Sequence, residues 1–426
     1  MHAQDSGRTI SIAEALDLGL SRNAALLAAH SRHRASEARV AEARSGYLPQ
    51  LSVTTGYTRY QEPTIIVPIH EAGVFPPLDD DIFEAAAQLR IPLFDGGRTS
   101  AAVRSARALA TEAEAAGALT ESHLLSELGR IFVQAEQLRD QRRLFTARLD
   151  ALSERRRELS LLLAEGRVTA GDVALVTSTI EAVRADSLTL ASDLRSLAVR
   201  LAQLLGEDTP VFPEATSRSR PSPTDADWLT PPGGYADVAG PRVRLAQASL
   251  TLAEAHRSQA SSQFWPELSA LATYIARAGQ DRDLIGEWAA GVALRIPLFN
   301  GGRRISAARA AAASVQAAEQ ALRAERHIQQ RDMRIVRDRW ETAHGRRAHL
   351  IDAVAGLSTS VAAAQQLYAA GRISLSDLLT REAELLDLQL AERREAYAVQ
   401  LAILDHHAIS GTLTPDLVQS VTGRIP

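Results

Sequence analysis

The chain has 426 residues, a formal net charge of −4 at pH 7 and no cysteine. A charge balance this close to neutral offers no basic surface for nucleic acid, and the absence of cysteine excludes disulfides, thiolate metal sites and a cysteine nucleophile. Aromatic residues make up only 4% and no run of 18 apolar residues occurs, so we expect long helices but no helix that spans a membrane.

The first seven residues lack the apolar core of a signal peptide, so we expect that a signal has been removed or that the protein is not exported. Residues 9–45 then repeat leucine and alanine at helical spacing, which predicts one helix. Either Thr9 or Ser11 with Glu14 is placed to cap its start, and the Gly-Tyr-Leu-Pro stretch that follows ends it.

Two strands separated by a proline-rich loop come next. Apolar and polar side chains alternate over about 51–61 and again over about 82–92. Pro92 and the pair Gly96 and Gly97 are predicted to close the second strand, because proline cannot donate to a strand ladder and glycine relieves a bend. The alternative is a hairpin turn at Asp-Gly-Gly, but a helical pattern follows it instead of a strand.

A proline-free helical run covers 98–165, and at 1.5 Å per residue it would be about 100 Å long. Its apolar residues, like those of a second helix over 170–205, step by three, four or seven, which is typical of coiled-coil packing. Gly166 is placed to cap the first helix, so the two helices form an antiparallel hairpin. A helix this long cannot be buried within one chain of this size, so we expect its apolar stripe to contact other subunits as well.

A joint rich in proline, serine, threonine and aspartate spans 206–241. It separates a first repeat, residues 1–205, from a second repeat, residues 242–410, and a short polar tail, 411–426, follows. The second repeat has the same order of elements: a helix over about 242–263, strands over about 268–278 and 286–297, and helices over 303–370 and 375–410.

The two repeats are copies of one unit. Residues 90–98 read Arg-Ile-Pro-Leu-Phe-Asp-Gly-Gly-Arg, and residues 295–303 match them at eight of nine positions, 205 residues later. Residues 164–172 and 369–377 match at the same offset, so the segment between the two motifs has the same length in both halves.

The nine-residue motif joins a strand with a period of two to a helix with a period near 3.5. Its second copy places Pro297, Gly301 and Gly302 at the positions of the first hinge. We therefore interpret both copies as structural hinges and look for functional residues elsewhere.

Each of the four predicted strands has one apolar face, as membrane-spanning strands do. An ordinary half-buried sheet of a soluble protein gives the same alternation. Four strands cannot close a barrel and an open edge cannot face lipid, so in a membrane several chains would have to pool their strands. Three chains would give twelve strands. The polar face includes Arg90 and Arg295, which are either solvated charges facing a lumen or part of a selectivity filter.

These motifs together resemble the TolC-like outer-membrane efflux proteins of Gram-negative bacteria. The resemblance covers the whole chain and is carried by three duplicated features. They are the Ile-Pro-Leu-Phe-(Asp/Asn)-Gly-Gly-Arg motifs, the (Leu/Trp)-Pro-(Gln/Glu)-Leu entries from helix to strand, and the Gly-Arg-(Val/Ile)-(Thr/Ser)-x-x-Asp turns.

The resemblance implies a mainly α protein with a small β part: a duplicated protomer whose homotrimer forms a 12-strand β-barrel in the outer membrane, continued by an α-helical barrel across the periplasm. It further implies a passive conduit without catalysis or cofactor, in contact with outer-membrane lipid. A periplasmic adaptor protein and an inner-membrane pump of RND or ABC type would be its partners. The joint and the tail would form a belt around the helices.

The resemblance also assigns site residues. Asp172 falls on the position that bonds a tyrosine across the periplasmic entrance, and Tyr368 falls on that tyrosine, so we expect Asp172→Ala or Tyr368→Phe to raise the conductance. Asp377 falls on an acidic ring that lines the constriction. The second acidic ring position falls on Thr380, which departs from the family pattern and argues against strong trapping of cations. The adaptor-docking tips would be Gly166, Arg167, Gly371 and Arg372.

Simpler interpretations of these residues stay open. Asp172 and Asp377 lie just inside helix starts, where acidic groups cap and suit the helix dipole, and the tip glycines would serve as C-caps. The histidine pairs His30/His33 and His406/His407 lack acidic or cysteine partners at metal-binding spacing. No catalytic motif stands out either, so we expect no metal site and no enzyme. The alternative function is a soluble coiled-coil scaffold.

Overall fold

The computed structural model describes residues 8–69, 73–215, 238–280 and 284–423. The helices in these ranges are α1 (Ile12–Arg22), α2 (Ala24–Ser45), α3 (Arg98–Ala164), α4 (Ala170–Leu205), α5 (Pro241–Ser262), α6 (Arg303–Ala369), α7 (Leu375–Ser410) and α8 (Pro415–Thr422). The strands are β1 (Arg8–Ile10), β2 (Gln50–Ile65), β3 (Leu78–Phe94), β4 (Val211–Pro213), β5 (Glu267–Ala278) and β6 (Ile285–Arg295). The mainly helical class with a small β part is confirmed. No helix in the described parts of the chain carries an apolar stretch able to cross a membrane.

The long helices have the predicted bounds to within one residue, and their coiled-coil stripe is confirmed. The nine stripe positions of α3 are all buried or half-buried: Leu124, Leu128, Ile131, Ala135, Leu138, Phe145, Leu149, Leu152 and Leu159. Packing of this apolar stripe stabilises the helices, because intrinsic helix propensity alone contributes little free energy to a helix with so many polar residues.

The single helix predicted over 9–45 is wrong, because Asn23 divides it into α1 and α2. The Asn23 backbone is extended (φ −60°, ψ 119°). Its side-chain oxygen accepts from the Leu26 backbone N–H at 3.1 Å and so caps α2. Its amide donates to the Leu204 carbonyl at 2.9 Å, at the end of α4. The helix is thus interrupted at Asn23 by a contact with Leu204, a residue distant in sequence.

Two short elements are absent from the sequence-based prediction. Strand β1 pairs in parallel with β4, which lies in the stretch predicted as an irregular joint. The remainder of that joint, 216–237, lies outside the described residues. The tail predicted as merely polar contains α8, which Thr414 caps and Pro415 opens. Its Val418 and Val421 side chains are buried.

The larger sheet is antiparallel in the order β2-β3-β5-β6. Strands β2 and β3, with 16 and 17 residues, are longer than the predicted ones. Pro92 does not close β3: it pairs with Ser269, the register shifts between Pro92 and Phe94, and the strand continues to Phe94. The missing N–H of proline is therefore accommodated by an irregularity in the ladder instead of a strand end. Strand β6 stops at Arg295, short of the predicted end at Pro297.

Two compact units divide the chain differently from the repeats. One comprises Met1–His30, Ala115–Leu245 and Ala324–Pro426, and the other Ser31–Glu114 and Ala246–Arg323. The first unit has an apolar core to which α1, α3, α4, α7 and α8 contribute. The second unit contains the four-stranded sheet.

His406 of α7 is buried in the first unit, with 7% of its surface exposed, and its ring lies edge-on to that of His407 with the centroids 5.4 Å apart. Burial, and secondarily the neighbouring His407, lowers the pKa of His406 to about 4.

We expect the contribution of His406 to the free energy of unfolding to be complete above pH 6.5 and to fall by roughly 2–3 kcal/mol as the pH drops from 6.5 towards 4. The reason is that this histidine binds a proton in the unfolded chain at a pH where it stays neutral in the folded one. Thermal melts across this range should show the loss, and His406→Leu should reduce it without removing it, because burial lowers the pKa of His407 as well. The matched control is His349→Leu at an exposed position of α6, which should keep the pH dependence. An unchanged slope in His406→Leu would refute the assignment.

Candidate functional site: the turns at the helical tips

The helix α3 turns into α4, and α6 into α7, through two glycine caps of the same geometry. Gly166 (φ +71°) and Gly371 (φ +68°) are left-handed, a conformation that strains residues with a side chain. The Arg167 N–H donates to the Leu162 carbonyl at 2.9 Å. Arg372 donates to the corresponding carbonyl of α6, also at 2.9 Å. Both glycines thus cap their helices, and Arg167 and Arg372 are exposed at the tips.

The helices that leave the turns begin with capping boxes. The Asp172 carboxylate accepts from the backbone N–H of Thr169 at 3.0 Å and from its hydroxyl at 2.8 Å. These bonds hold the pKa of Asp172 below its usual value. Asp377 accepts in the same way from the Ser374 N–H, at 3.3 Å. Asp172 and Asp377 therefore both take part in capping boxes at the starts of their helices.

The structure brings Tyr368 near Asp172 without a hydrogen bond between them. Within the described ranges the Tyr368 hydroxyl makes no hydrogen bond, and its ring lies 5.7 Å from the Arg155 guanidinium. Burial raises the pKa of Tyr368, the Arg155 charge opposes that shift, and the Asp172 charge adds to it. The bond that the resemblance implies is thus not formed within this chain.

Asp377 and Thr380 are exposed on the first turns of α7, whereas Leu378 and Leu379 between them are buried. The Thr380 hydroxyl donates to the Ser376 carbonyl at 2.9 Å. The Asp377 carboxylate is therefore exposed to solvent, and Thr380 adds a neutral polar group one turn further along.

A cluster of ions beside these residues was not predicted. Glu382 of α7 pairs with Arg148 and Arg155 of α3, the second at 3.3 Å, and accepts from Gln365 of α6 at 3.2 Å. The Arg148 and Glu382 side chains are each only 10% exposed. The seven-residue spacing of the two arginines, on either side of buried Leu152, is the signal by which the sequence could have revealed the cluster.

The hinge residues Gly96, Gly97, Gly301 and Gly302 are all left-handed, with φ between +64° and +81°. Only Gly96 is in close contact: a methyl group built on it would overlap Cβ of Trp265.

The described residues contain one group of acids close enough to share a cation: Asp79, Asp80 and Asp81, whose oxygens lie within 4.8 Å of one another. Asp81 already accepts from the Tyr57 hydroxyl at 2.5 Å and lies 3.7 Å from the Arg59 guanidinium. Asp79 accepts from backbone N–H groups. Because these carboxylates are occupied by protein partners, we assign no metal to them.

Comparison with known proteins gives a consistent picture. The sequence model of the family described as "Outer membrane efflux protein" matches residues 15–207 and 238–405. Protein CyaE of Bordetella pertussis is 30% identical over 327 residues, which cover 73% of this chain and 65% of CyaE. The pyoverdine export outer membrane protein OpmQ of Pseudomonas aeruginosa is 27% identical over 285 residues, covering 65% of this chain and 58% of OpmQ. This chain therefore spans less than two thirds of either relative.

Among solved structures, the outer membrane protein VceC of Vibrio cholerae superimposes with a TM-score of 0.76. The match covers 94% of this chain and 96% of VceC at 20% sequence identity. At that identity the likeness shows a shared fold.

Proposed function

Because this chain belongs to the outer membrane efflux protein family, we propose that it is the outer-membrane channel of a tripartite efflux or type I secretion system. The observation that carries the proposal is the sheet of the second unit. Its outer strands, β2 and β6, are each paired on one side only, and large apolar side chains are exposed on them: Leu51, Val53, Tyr57, Trp288, Val292 and Leu294. An open apolar sheet edge requires a partner strand in water and in lipid alike.

A homotrimer satisfies this requirement, since three copies pair β2 of one with β6 of the next and close twelve strands into a barrel. In this proposal the long helices continue the conduit into the periplasm, and the duplicated glycine motifs act as hinges between barrel and helices. Gly166, Arg167, Gly371 and Arg372 would meet a periplasmic adaptor, which connects to an inner-membrane pump of RND or ABC type. Substrate would pass without chemistry.

The proposal is tested by purifying the protein from membranes and measuring its mass and its current in planar lipid bilayers. We expect a trimer in the outer-membrane fraction and discrete single-channel currents. A water-soluble monomer or dimer without current would instead support the coiled-coil scaffold. The variant Val292→Arg places a charge on the exposed apolar face and should reduce membrane insertion, whereas Glu84→Gln on the polar face should not.

Asp377→Asn should raise the concentration of a trivalent cation needed for half-maximal block of the current by about tenfold, because a ring of three carboxylates becomes neutral. Ser374 remains the N-cap of α7, and the amide oxygen of asparagine can still accept from the Ser374 N–H, so the helix start is preserved. Asp377→Glu, which keeps the charge, is the control and should retain the block. An unaltered block in Asp377→Asn would remove this residue from the pore lining.

Tyr368 offers a second test of the entrance. Its hydroxyl has no bond within the described chain, so it is free to bond a neighbouring copy. Tyr368→Phe removes that group without touching the Asp172 cap, and a rise in conductance would assign a gating role to Tyr368. If the conductance stays the same in both Tyr368→Phe and Asp172→Ala, Asp172 retains only its capping role.

A further inference from the structure

A groove of about 780 Å³ lies in the second unit, between the end of α2 and the start of α3. The charged residues that line it are all basic: Arg44 of α2, and Arg104 and Arg107 of α3. Its volume is within the range of sites that take small molecules. Because no carboxylate lies among these three guanidinium groups, the groove favours an anion, and planar guanidinium groups match the oxygens of a phosphate.

The charges of the three arginines are not neutralised by the protein. Arg104 donates to the hydroxyl groups of Ser258 at 2.8 Å and Ser100 at 3.4 Å, and neither of these acceptors carries a charge. Across the described ranges, the guanidinium groups of Arg44 and Arg107 make no hydrogen bond and no ion pair. All three are exposed, so they can donate to a ligand from outside the chain.

The groove lies on the side of α3 that faces away from the polar face of the sheet. Arg98, the first residue of α3, pairs with Glu267, which also binds Arg90 on that polar face at 3.5 Å. At roughly 100° per residue, Arg107 lies half a turn around α3 from Arg98. The groove therefore opens on the side of the apolar face of the sheet, which is the face that meets lipid in the function proposed above.

The groove also lies at the level of the lipid headgroups. Strands β5 and β6 have 12 and 11 residues, about the length of a membrane-spanning strand, so the junctions between sheet and helices mark the edge of the lipid. Exposed aromatic side chains lie at these junctions, as they do at the interfaces of membrane barrels: Tyr47, Phe94, Phe264, Trp265 and Phe299. Arg104 is roughly 9 Å along α3 from its first residue, and its long side chain can reach a headgroup layer roughly 5–8 Å thick.

Apolar side chains line the groove beside the arginines. Tyr47 and Leu48, which are 54% and 60% exposed, connect α2 to β2, and the buried Val103 side chain belongs to the wall formed by α3. A free phosphate gains nothing from such a wall. A phospholipid, in contrast, places its phosphate beside the arginines and the start of an acyl chain along the apolar side chains. An anionic amphiphile therefore fits both parts of the groove.

The second repeat does not carry the same charges. The entries from helix to strand repeat at an offset of 217 residues, and α3 repeats as α6 at an offset of 205. The residues at the positions of Arg44, Arg104 and Arg107 are therefore Ser261, Arg309 and Ala312. The duplication thus leaves one such group of arginines in each chain and supplies a control position on α6.

We propose that this groove binds an anionic glycerophospholipid of the periplasmic leaflet, with the phosphate among the three arginines and an acyl chain along Tyr47 and Leu48. This inference rests on the channel function proposed above, because that function places the sheet in the membrane. The bound lipid would hold the helix-to-sheet junction of the first repeat at the surface of the leaflet.

The test counts the lipid bound to the purified protein. The protein in detergent is titrated with dioleoyl phosphatidylglycerol or with dioleoyl phosphatidylcholine, and native mass spectrometry measures the lipid that remains bound. Arg44→Gln with Arg107→Gln removes two of the three charges of the groove. Arg309→Gln with Arg323→Gln removes the same charge from exposed positions of α6 and is the matched control. All four arginines are exposed, so these substitutions should leave the fold intact.

We expect phosphatidylglycerol to saturate at one molecule per chain and phosphatidylcholine to bind about tenfold more weakly. The groove variant should lose affinity for phosphatidylglycerol by about tenfold or more, because two of the charges that attract the headgroup are gone. The control variant should stay within about twofold of the wild type. Inorganic phosphate should not displace the lipid.

Three outcomes would overturn the proposal. They are equal affinity of the groove and control variants, equal affinity for the two lipids, and displacement of the lipid by inorganic phosphate, which would indicate a site for a free anion. Single-channel currents of the wild-type protein are recorded in parallel. If the protein conducts and one of these outcomes occurs, the lipid site alone is refuted, whereas a protein that neither inserts nor conducts refutes the channel function.

Discussion

Glu382→Ala should lower the free energy of unfolding by about 3–5 kcal/mol, because it leaves two buried arginines without their counter-charge. The Glu382 carboxylate is shared by Arg148 and Arg155 and also accepts from Gln365. Arg148 is only 10% exposed and Arg155 19%, so water cannot readily replace the lost partner. Chemical denaturation in detergent, followed by circular dichroism, measures the loss.

The matched control is Glu181→Ala on α4. Glu181 pairs with Arg184 one turn away at 2.7 Å, and both side chains are more than half exposed. Solvent screens such a pair, so the expected loss is below about 0.5 kcal/mol. A similar loss in the two variants would show that the buried cluster contributes nothing particular to stability.

Gly96→Ala should destabilise the protein by about 4 kcal/mol, since two separate costs add at this position. Gly96 has φ +64°, which costs an alanine roughly 1–2 kcal/mol. The added methyl group would also overlap Cβ of Trp265, an atom fixed to the backbone that cannot rotate away. The expected result is a Tm several degrees lower, measured by thermal melts.

The duplication supplies the control for this variant. Gly301 occupies the equivalent position in the second repeat with φ +66°, and a methyl group built there meets nothing within 4 Å. Gly301→Ala should therefore cost only the backbone strain, roughly 1–2 kcal/mol. Equal losses at Gly96 and Gly301 would contradict the role of the Trp265 contact.

Long elements were predictable because their signals are repeated many times along the chain. The bounds of α3, α4, α6 and α7 follow from apolar steps of three and four sustained over 36 to 67 residues. The capping boxes at Asp172 and Asp377 follow from local hydrogen bonds over three residues, which a sequence displays directly.

The errors occurred where a distant partner overrides a local signal. Asn23 breaks the first helix because its amide reaches Leu204, 181 residues away. Strand β1 exists because it pairs with β4, some 200 residues along the chain. Pro92 stays within β3 because β5 lies beside it and the ladder tolerates one irregular pair.

The sequence by itself determined the duplication, the order of strands and coiled-coil helices, and the tip residues, since each depends on periodicity or on spacing within a few residues. Only the tertiary structure decided which buried charges meet across α3 and α7. The strength of an ion pair depends on burial and on distances of a few ångströms between residues more than 200 positions apart. Such distances are set by how helices pack, and no local pattern records them.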